Sequence, residues 1–491
     1  MYNVKRRNEK MKRPAQITTI LLLTALSLQL LACGDTENSG NETDTSTESS
    51  ATETEKPFLD NLGEHDFNGQ DFTMLIRENK VDTTAPEEET GDVVSDAIYN
   101  RNAKISERFN VNIVIETLPD DSNMWNSTLD GEVMAGSDAY DVVMPDYWWG
   151  CETRGLFLDL HDYDSIFEFD QPWWTAGWND NAEIYGQLYS AVGSMSLDLI
   201  KNQNVMFFNK ELVDSLNIGD IYEIVESGDW TLDKFNEFIA IGSSDINGDG
   251  ELKLGDDQLG YACALQAGRA MLASAGMKIA TRAEDGAWEY NFMNERFVDR
   301  YDEIYNLINN NKSVVYDTAQ SLENVFKGGR LLFLGASIGS TDYLRDMEID
   351  YGIIPMPKMD DSQEDYVTYN FGTYYMAILL TAADPEMSAV MLEALNAESY
   401  KNVVNVYYDT ALKNKYSRDE ESRKMIDLIN SKCFFDFTFV NETSTDHIVM
   451  WFFDQIVNKQ EGIMSLYEGR RAGFEQKLAD LLETYKKSAE E

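Results

Sequence analysis

Apolar positions along the chain switch repeatedly between two spacings. Phe72 to Ile76 form a short apolar block, which reads as a strand. Val94, Ile98, Ile105 and Phe109 then recur at helical spacing, with Arg101, Lys104 and Glu107 mostly off that face. Val111 to Ile115 form a block again, and strand, helix, strand in this order predicts a βαβ unit of a parallel sheet. Further blocks are Tyr140 to Met144 (closed by Pro145), Val205 to Phe208, Leu331 to Leu334 and Met376 to Leu380. Thr231 is placed to cap one helix, and Pro385 to Leu395 has a good helix start. Ile463, Leu466, Tyr467, Phe474, Leu478, Leu481, Leu482 and Tyr485 predict a long amphipathic helix at the end of the chain. The pattern is that of an α/β protein of two or three domains.

In open α/β sheets ligands sit beyond the carboxyl ends of strands, so the residues just after each block are the candidates for chemistry. Arg77 and Glu78 follow the first block. Tyr147, Trp148 and Trp149 follow Pro145. Their rings can stack on the apolar face of a sugar, or simply plug a core. After Leu331 to Leu334, the residues Gly335 to Gly339 fit G-x-S-x-G around Ser337. His447 comes later in the chain with Asp409 or Asp436 between, the order of an α/β-hydrolase triad, but no H-G-G-G oxyanion loop precedes it. A secreted serine hydrolase using Ser337 is therefore the alternative to a non-catalytic reading. A glycosidase would need two carboxylates facing one sugar, which no spacing here displays.

Residues 245–256 carry the sharpest motif. Asp245, Asn247 and Asp249 stand at loop positions 1, 3 and 5, Gly250 at 6, Glu251 at 7 and Asp256 at 12, the EF-hand spacing for Ca²⁺. Lys253 at position 9 opposes a cation there. A structural Ca²⁺ is the one cofactor expected, and no catalytic one.

Composition narrows the partners. A net charge of −47 excludes nucleic acid, whose phosphates require Lys and Arg. Three His leave little material for multi-His metal sites. The first 32 residues read as a signal peptide: a start with six Lys and Arg, then an apolar stretch from Ile17 to Leu31 too short to span a membrane. Leu30, Leu31, Ala32 and Cys33 resemble a bacterial lipobox, so Cys33 is the expected site of lipidation. The expected location is the outer face of the cell membrane. Residues 33–57 are rich in Ser, Thr and Glu and read as a flexible spacer. The remaining cysteines, Cys151, Cys263 and Cys433, form no disulfide framework.

From about Phe58 to the C-terminus, the order of short motifs resembles extracellular solute-binding protein family 1, the sugar-binding group of ABC importers. The matching pieces are Tyr140 to Trp149, Gly155 to Leu160, Phe208 to Lys210, Trp230 with Thr231, Val325 to Arg330, Tyr351 to Lys358 and Asp384 to Glu386. Ser194 and Met195 stand where close relatives often carry Gly-Asp. The resemblance implies a periplasmic-binding-protein type II fold: two α/β lobes, a ligand cleft and several hinge crossings, near 193–197, 371–376 and 408–412. It implies an N-terminal lobe of 58–195 completed by 372–410, and a C-terminal lobe of 196–371 completed by 411–491. It also implies capture of a small solute, most readily a carbohydrate, delivery to ABC permease subunits, and a monomer. Placement after strands, or in matching loops and crossings, nominates Arg77, Glu78, Tyr147, Trp148, Trp149, Ser194, Trp230, Ser337, Phe371 and Tyr374 as ligand contacts.

Overall fold

The computed structural model describes residues 58–319, 321–409 and 420–490. The signal peptide, Cys33 and the spacer lie outside the described residues. In chain order the strands are β1 (Gln70–Arg77), β2 (Val111–Leu118), β3 (Val142–Val143), β4 (Asn204–Asn209), β5 (Leu259–Cys263), β6 (Ala280–Arg282), β7 (Trp288–Tyr290), β8 (Val314–Tyr316), β9 (Leu331–Ser337), β10 (Tyr351–Ile354), β11 (Thr368–Tyr369), β12 (Ala377–Ile378) and β13 (Cys433–Phe434).

Two sheets organise two lobes. The first has the order β12-β3-β1-β2, with β1 parallel to β2 and β3, and β12 antiparallel on the outer edge of β3. The second has the order β10-β4-β9-β5-β8, parallel among β9, β5 and β8 and antiparallel at β4 and β10. The βαβ unit expected near the start is β1, the helix Val93–Phe109 and β2. Asp92 caps the helix by accepting from the amides of Val94 and Ser95, and Asn110 ends it in the left-handed region. The apolar block Tyr140 to Met144 contributes only two residues to the ladder, and Met376 to Leu380 also only two.

One polar residue set off the helix face is buried. Arg101 is 2% exposed; its guanidinium donates to the Ser399 hydroxyl (3.0 Å) and to the Thr84 carbonyl oxygen (2.5 Å). Burial lowers its pKa to about 10. It ties the helix Val93–Phe109 to the π-helical segment Ser399–Val404, which continues the helix Pro385–Glu398.

Two chain segments pass side by side from lobe to lobe. Ala191 bridges Met376 at the first sheet, and Gln203 bridges Asn370 antiparallel at the second. Between them Asn370 donates its side-chain amide to the carbonyl oxygens of Asp198 (3.3 Å) and Leu199 (2.6 Å), and Asn202 donates to that of Gly372. Residues on either side of 410–419 lie in different lobes: Ser399–Val404 packs on the first, while Glu420–Ser431 packs on β10 of the second.

Candidate functional site

At the carboxyl ends of β5, β8 and β9 a cleft of about 420 Å³ opens against the crossing segments. Its walls include Gln266 from the start of the helix Leu265–Ser274, Thr318 beyond β8, and Ser337 and Ser340 at the end of β9. The crossing segments supply the floor: Asn202, Asn204 and Phe371. This is where an open α/β sheet places a ligand. The lining is amide, hydroxyl and small apolar groups, with Glu323 as its one charged side chain; that carboxylate accepts from the Ser340 hydroxyl at 3.0 Å.

Asn204 is the most telling residue in it. It is 2% exposed, and its amide nitrogen donates to the carbonyl oxygens of Asn202 (3.3 Å) and Tyr369 (3.4 Å). Its Oδ1 has no partner. A buried amide oxygen left without a donor costs on the order of 1–3 kcal/mol, which a ligand donor would recover only once the side chain turns into the cleft.

Ring contacts run from this cleft to the aromatic loop of the first lobe. Phe371 lies 4.2 Å from Tyr369, Tyr369 4.7 Å from Phe439, Phe439 4.5 Å from Tyr147, and Tyr147 5.4 Å from Trp148 (centroid distances). Trp148 is half-buried, and the Arg269 guanidinium sits over its ring at 5.8 Å. Two guanidinium nitrogens of Arg269, the Tyr147 and Tyr369 hydroxyls and both carboxylate oxygens of Glu442 are buried without hydrogen-bond partners. Burial raises the pKa of Glu442, and His447, 3.4 Å away, opposes that shift.

The structure brings together only some of the residues nominated from sequence. Ser337 and Phe371 meet in the cleft, and Trp148 stands at the end of the ring path. Tyr147 is fully buried within that path. Trp149 packs on Trp125 at 5.4 Å and lies under Arg77. Arg77 is not a free cation: its Nη1 donates to Asp146 at 2.6 Å, and its guanidinium lies between Trp149 and Tyr374. Tyr374 is 1% exposed and hydrogen-bonds Thr84 at 3.1 Å, so it belongs to the first lobe's interior. Glu78 is exposed on the turn after β1. Trp230 is sealed in the second lobe's core. It touches Phe235, Phe238 and Phe333, and its indole N–H donates to the Pro355 carbonyl oxygen at 3.0 Å, leaving neither a free face nor a free donor.

Ser194 lines a different groove, of about 580 Å³, with Trp174, Gln203 and Tyr408. Asn202 and Asn204 line the cleft and Gln203 lines this groove. The groove is larger, but it does not lie at the carboxyl ends of either sheet's strands. Asn202, Asn204 and Gln266 were missed from sequence. The signal for Asn204 was a polar residue heading a strand buried along its whole length.

Ser337 does not sit on a nucleophile elbow. Its backbone is extended (φ −80°, ψ 157°), and the His447 ring faces Glu442. In the acidic loop, oxygens of Asp245, Asp249 and Asp257 come within 4.8 Å of one another. Asp257 takes the place expected of Asp256, whose side chain is exposed. Asp257 is 1% exposed and accepts from the amides of Ile246 (2.9 Å), Asn247 (3.4 Å) and Lys253 (3.0 Å). Asn247 accepts from the Asp249 amide at 2.8 Å, and Glu251 pairs with Lys253 at 2.6 Å. The donors are hard oxygens suited to Ca²⁺, while the Lys253 ammonium, 3.1 Å from Asp249, already neutralises part of the cluster.

No family model matches the chain, and no curated protein matches its sequence. Solved structures do match. The cyclic α-maltosyl-1,6-maltose binding protein from Arthrobacter globiformis aligns over 84% of this chain and 98% of its own, at 13% identity and a TM-score of 0.57. An ABC transporter solute-binding protein from Thermotoga lettingae, bound with α-D-tagatose, aligns over 84% and 100% at 11% identity and 0.53. An ABC substrate-binding protein from Listeria monocytogenes, in complex with cycloalternan, aligns over 86% and 99% at 14% identity and 0.51. The two sheets and the paired crossing segments are therefore those of the type II fold that these substrate-binding proteins share.

Proposed function

We propose that the protein is the solute-capturing component of an ABC importer and that its solute is a carbohydrate. The observation that carries this is the cleft at the strand ends, lined by the amides of Asn202, Asn204 and Gln266 and the hydroxyls of Thr318, Ser337 and Ser340. Such a lining suits a neutral, hydroxyl-rich molecule better than an ion. The fold it shares with a protein named for binding cyclic maltosyl-maltose and with a solute-binding protein bound with α-D-tagatose supports the same reading. The solute enters between separated lobes, the lobes close over it, and the closed form docks on the permease. The protein acts as a monomer held by a lipid on Cys33 at the outer face of the membrane, and makes and breaks no bonds. Among the described residues no helix is long and apolar enough to cross a membrane. The test is calorimetry over a panel of mono- and oligosaccharides, with an ester-hydrolysis assay beside it. Saturable binding of a sugar that weakens in Asn204→Ala supports the proposal. Ester hydrolysis that disappears in Ser337→Ala, with no sugar bound, overturns it.

A further inference from the structure

The C-terminal segment touches both lobes away from the paired crossings. On the second lobe, the helix Ile448–Val457 packs on the helices Leu265–Ser274 and Glu295–Asn310. On the first lobe, the Thr443 hydroxyl donates to the carbonyl oxygen of Trp148, Asn441 donates to that of Asn181 (3.4 Å), and the Ser444 hydroxyl lies 3.3 Å from that of Thr153. Gly150 sits flush against Thr443: a Cβ there would stand 3.1 Å from a Thr443 methyl.

A second link lies further along. Ile184, Ala280, Trp288, Phe437, Leu478, Leu481 and Tyr485 form a buried apolar cluster distinct from the main cores. Ile184 and the adjoining Tyr189 belong to the first lobe, because Leu160 donates its amide to the Leu188 carbonyl oxygen (2.8 Å) and Ala191 pairs with Met376. The hairpin β6–β7 is joined to the second lobe through Tyr290, 6.4 Å from Phe292, which packs at 4.9 Å on Phe297 of the helix Glu295–Asn310. Trp288 stacks on Phe437 at 4.4 Å, and Tyr485 of the helix Ile463–Glu490 meets Tyr189 at 5.2 Å. Polar contacts rim the cluster. Arg282 donates to the Glu183 carboxylate (2.7 Å) and carbonyl oxygen (2.8 Å), and the Trp288 indole also donates to that carbonyl oxygen (3.1 Å).

We propose that the segment Cys433–Tyr485 is a clasp across the two lobes, with the Tyr485 cluster as its grip, which biases the protein toward a closed arrangement before any solute arrives. The crossings alone leave the lobes free to hinge. Opening must also separate Tyr189 from Tyr485 and Glu183 from Arg282, exposing apolar surface to water. The inference rests on the two-lobed fold and not on the identity of the solute.

The test is an interlobe distance measured by double electron–electron resonance on purified protein with no solute added. Spin labels go on Met134→Cys, 87% exposed in the first lobe, and Asp214→Cys, exposed in the second. Protein without the two added cysteines supplies the background from Cys151, Cys263 and Cys433. The expected result is one narrow distance in the parent, lengthened and broadened in Tyr485→Ala and, less strongly, in Arg282→Gln. Arg282 lies at the cluster's rim, so its variant decides the matter if Tyr485→Ala does not fold. Distance distributions identical to the parent's, in variants that still melt cooperatively, overturn the clasp. Because no sugar is present, failure of the carbohydrate reading leaves this result untouched.

Discussion

At the scale of single residues, the proposed site makes separate predictions for Asn204 and Trp148. Asn204→Ala removes the unpartnered Oδ1 and should weaken sugar binding by about one hydrogen bond, ~1 kcal/mol or roughly fivefold. Trp148→Ala removes a ring platform along with its buried area and should weaken it by about 2 kcal/mol, near thirtyfold. Calorimetry checks both, and a Trp148→Ala variant that binds sugar as tightly as the parent would remove the ring from the site. Glu393 makes a different prediction. It is fully buried, and it accepts from the indoles of Trp173 (2.8 Å) and Trp174 (2.7 Å) and from the Glu168 amide (3.3 Å). Burial lifts its pKa from the ordinary 4.5 to about 7, and the same cause lifts Glu152 to about 7. A raised carboxylate pKa means the folded state holds the proton more tightly than the unfolded chain. The associated stability is full below about pH 4.5 and is lost as pH rises toward 7. Thermal melts should therefore decline between pH 5 and 7.5, and Glu393→Gln should flatten part of that decline; an unchanged slope would show that Glu393 does not titrate in this range.

At the scale of elements, what could be read from sequence was what neighbours along the chain decide. Asp92, Thr231 and Asp384 cap helices through amides two or three residues away, so their roles follow from local spacing. Burial of Arg101 depends on Thr84 and Ser399, and that of Trp230 on Phe333 and Pro355, partners brought together only by the fold. For the same reason the strand ends nominate Ser337, which lines the cleft, while the crossing residues Asn202 and Asn204 in the same lining stayed hidden. The acidic loop shows the limit of spacing in another way. The motif places a ligand at Asp256, yet the chain turns Asp257 inward to receive three amides. If the loop holds Ca²⁺, adding EGTA should lower the melting temperature, Ca²⁺ should restore it, and Asp249→Ala should abolish the response. A ligand at one hundred times its Kd contributes about 2.7 kcal/mol. A melt indifferent to EGTA would mean that Lys253 alone neutralises the cluster.

At the scale of the whole molecule, the net charge of −47 and the expected lipid on Cys33 suit a protein held at a surface without adhering to it. Cys33→Ala should move the protein from the membrane fraction to the soluble one; if it stays with membranes, the lipobox reading fails. The topology has a further consequence, for biogenesis. The outer edge of β3 is closed by β12, which lies more than two hundred residues later in the chain. At about 5–20 residues per second of synthesis, that interval is on the order of 10–50 s. Throughout it the first sheet exists, if it forms at all, with a bare row of backbone donors and acceptors along β3, a template for pairing with another chain. A nascent chain of this design must be kept unpaired until residue 377 is available, which makes holding the unfolded chain, rather than speed of folding, the demand that its topology places on the cell.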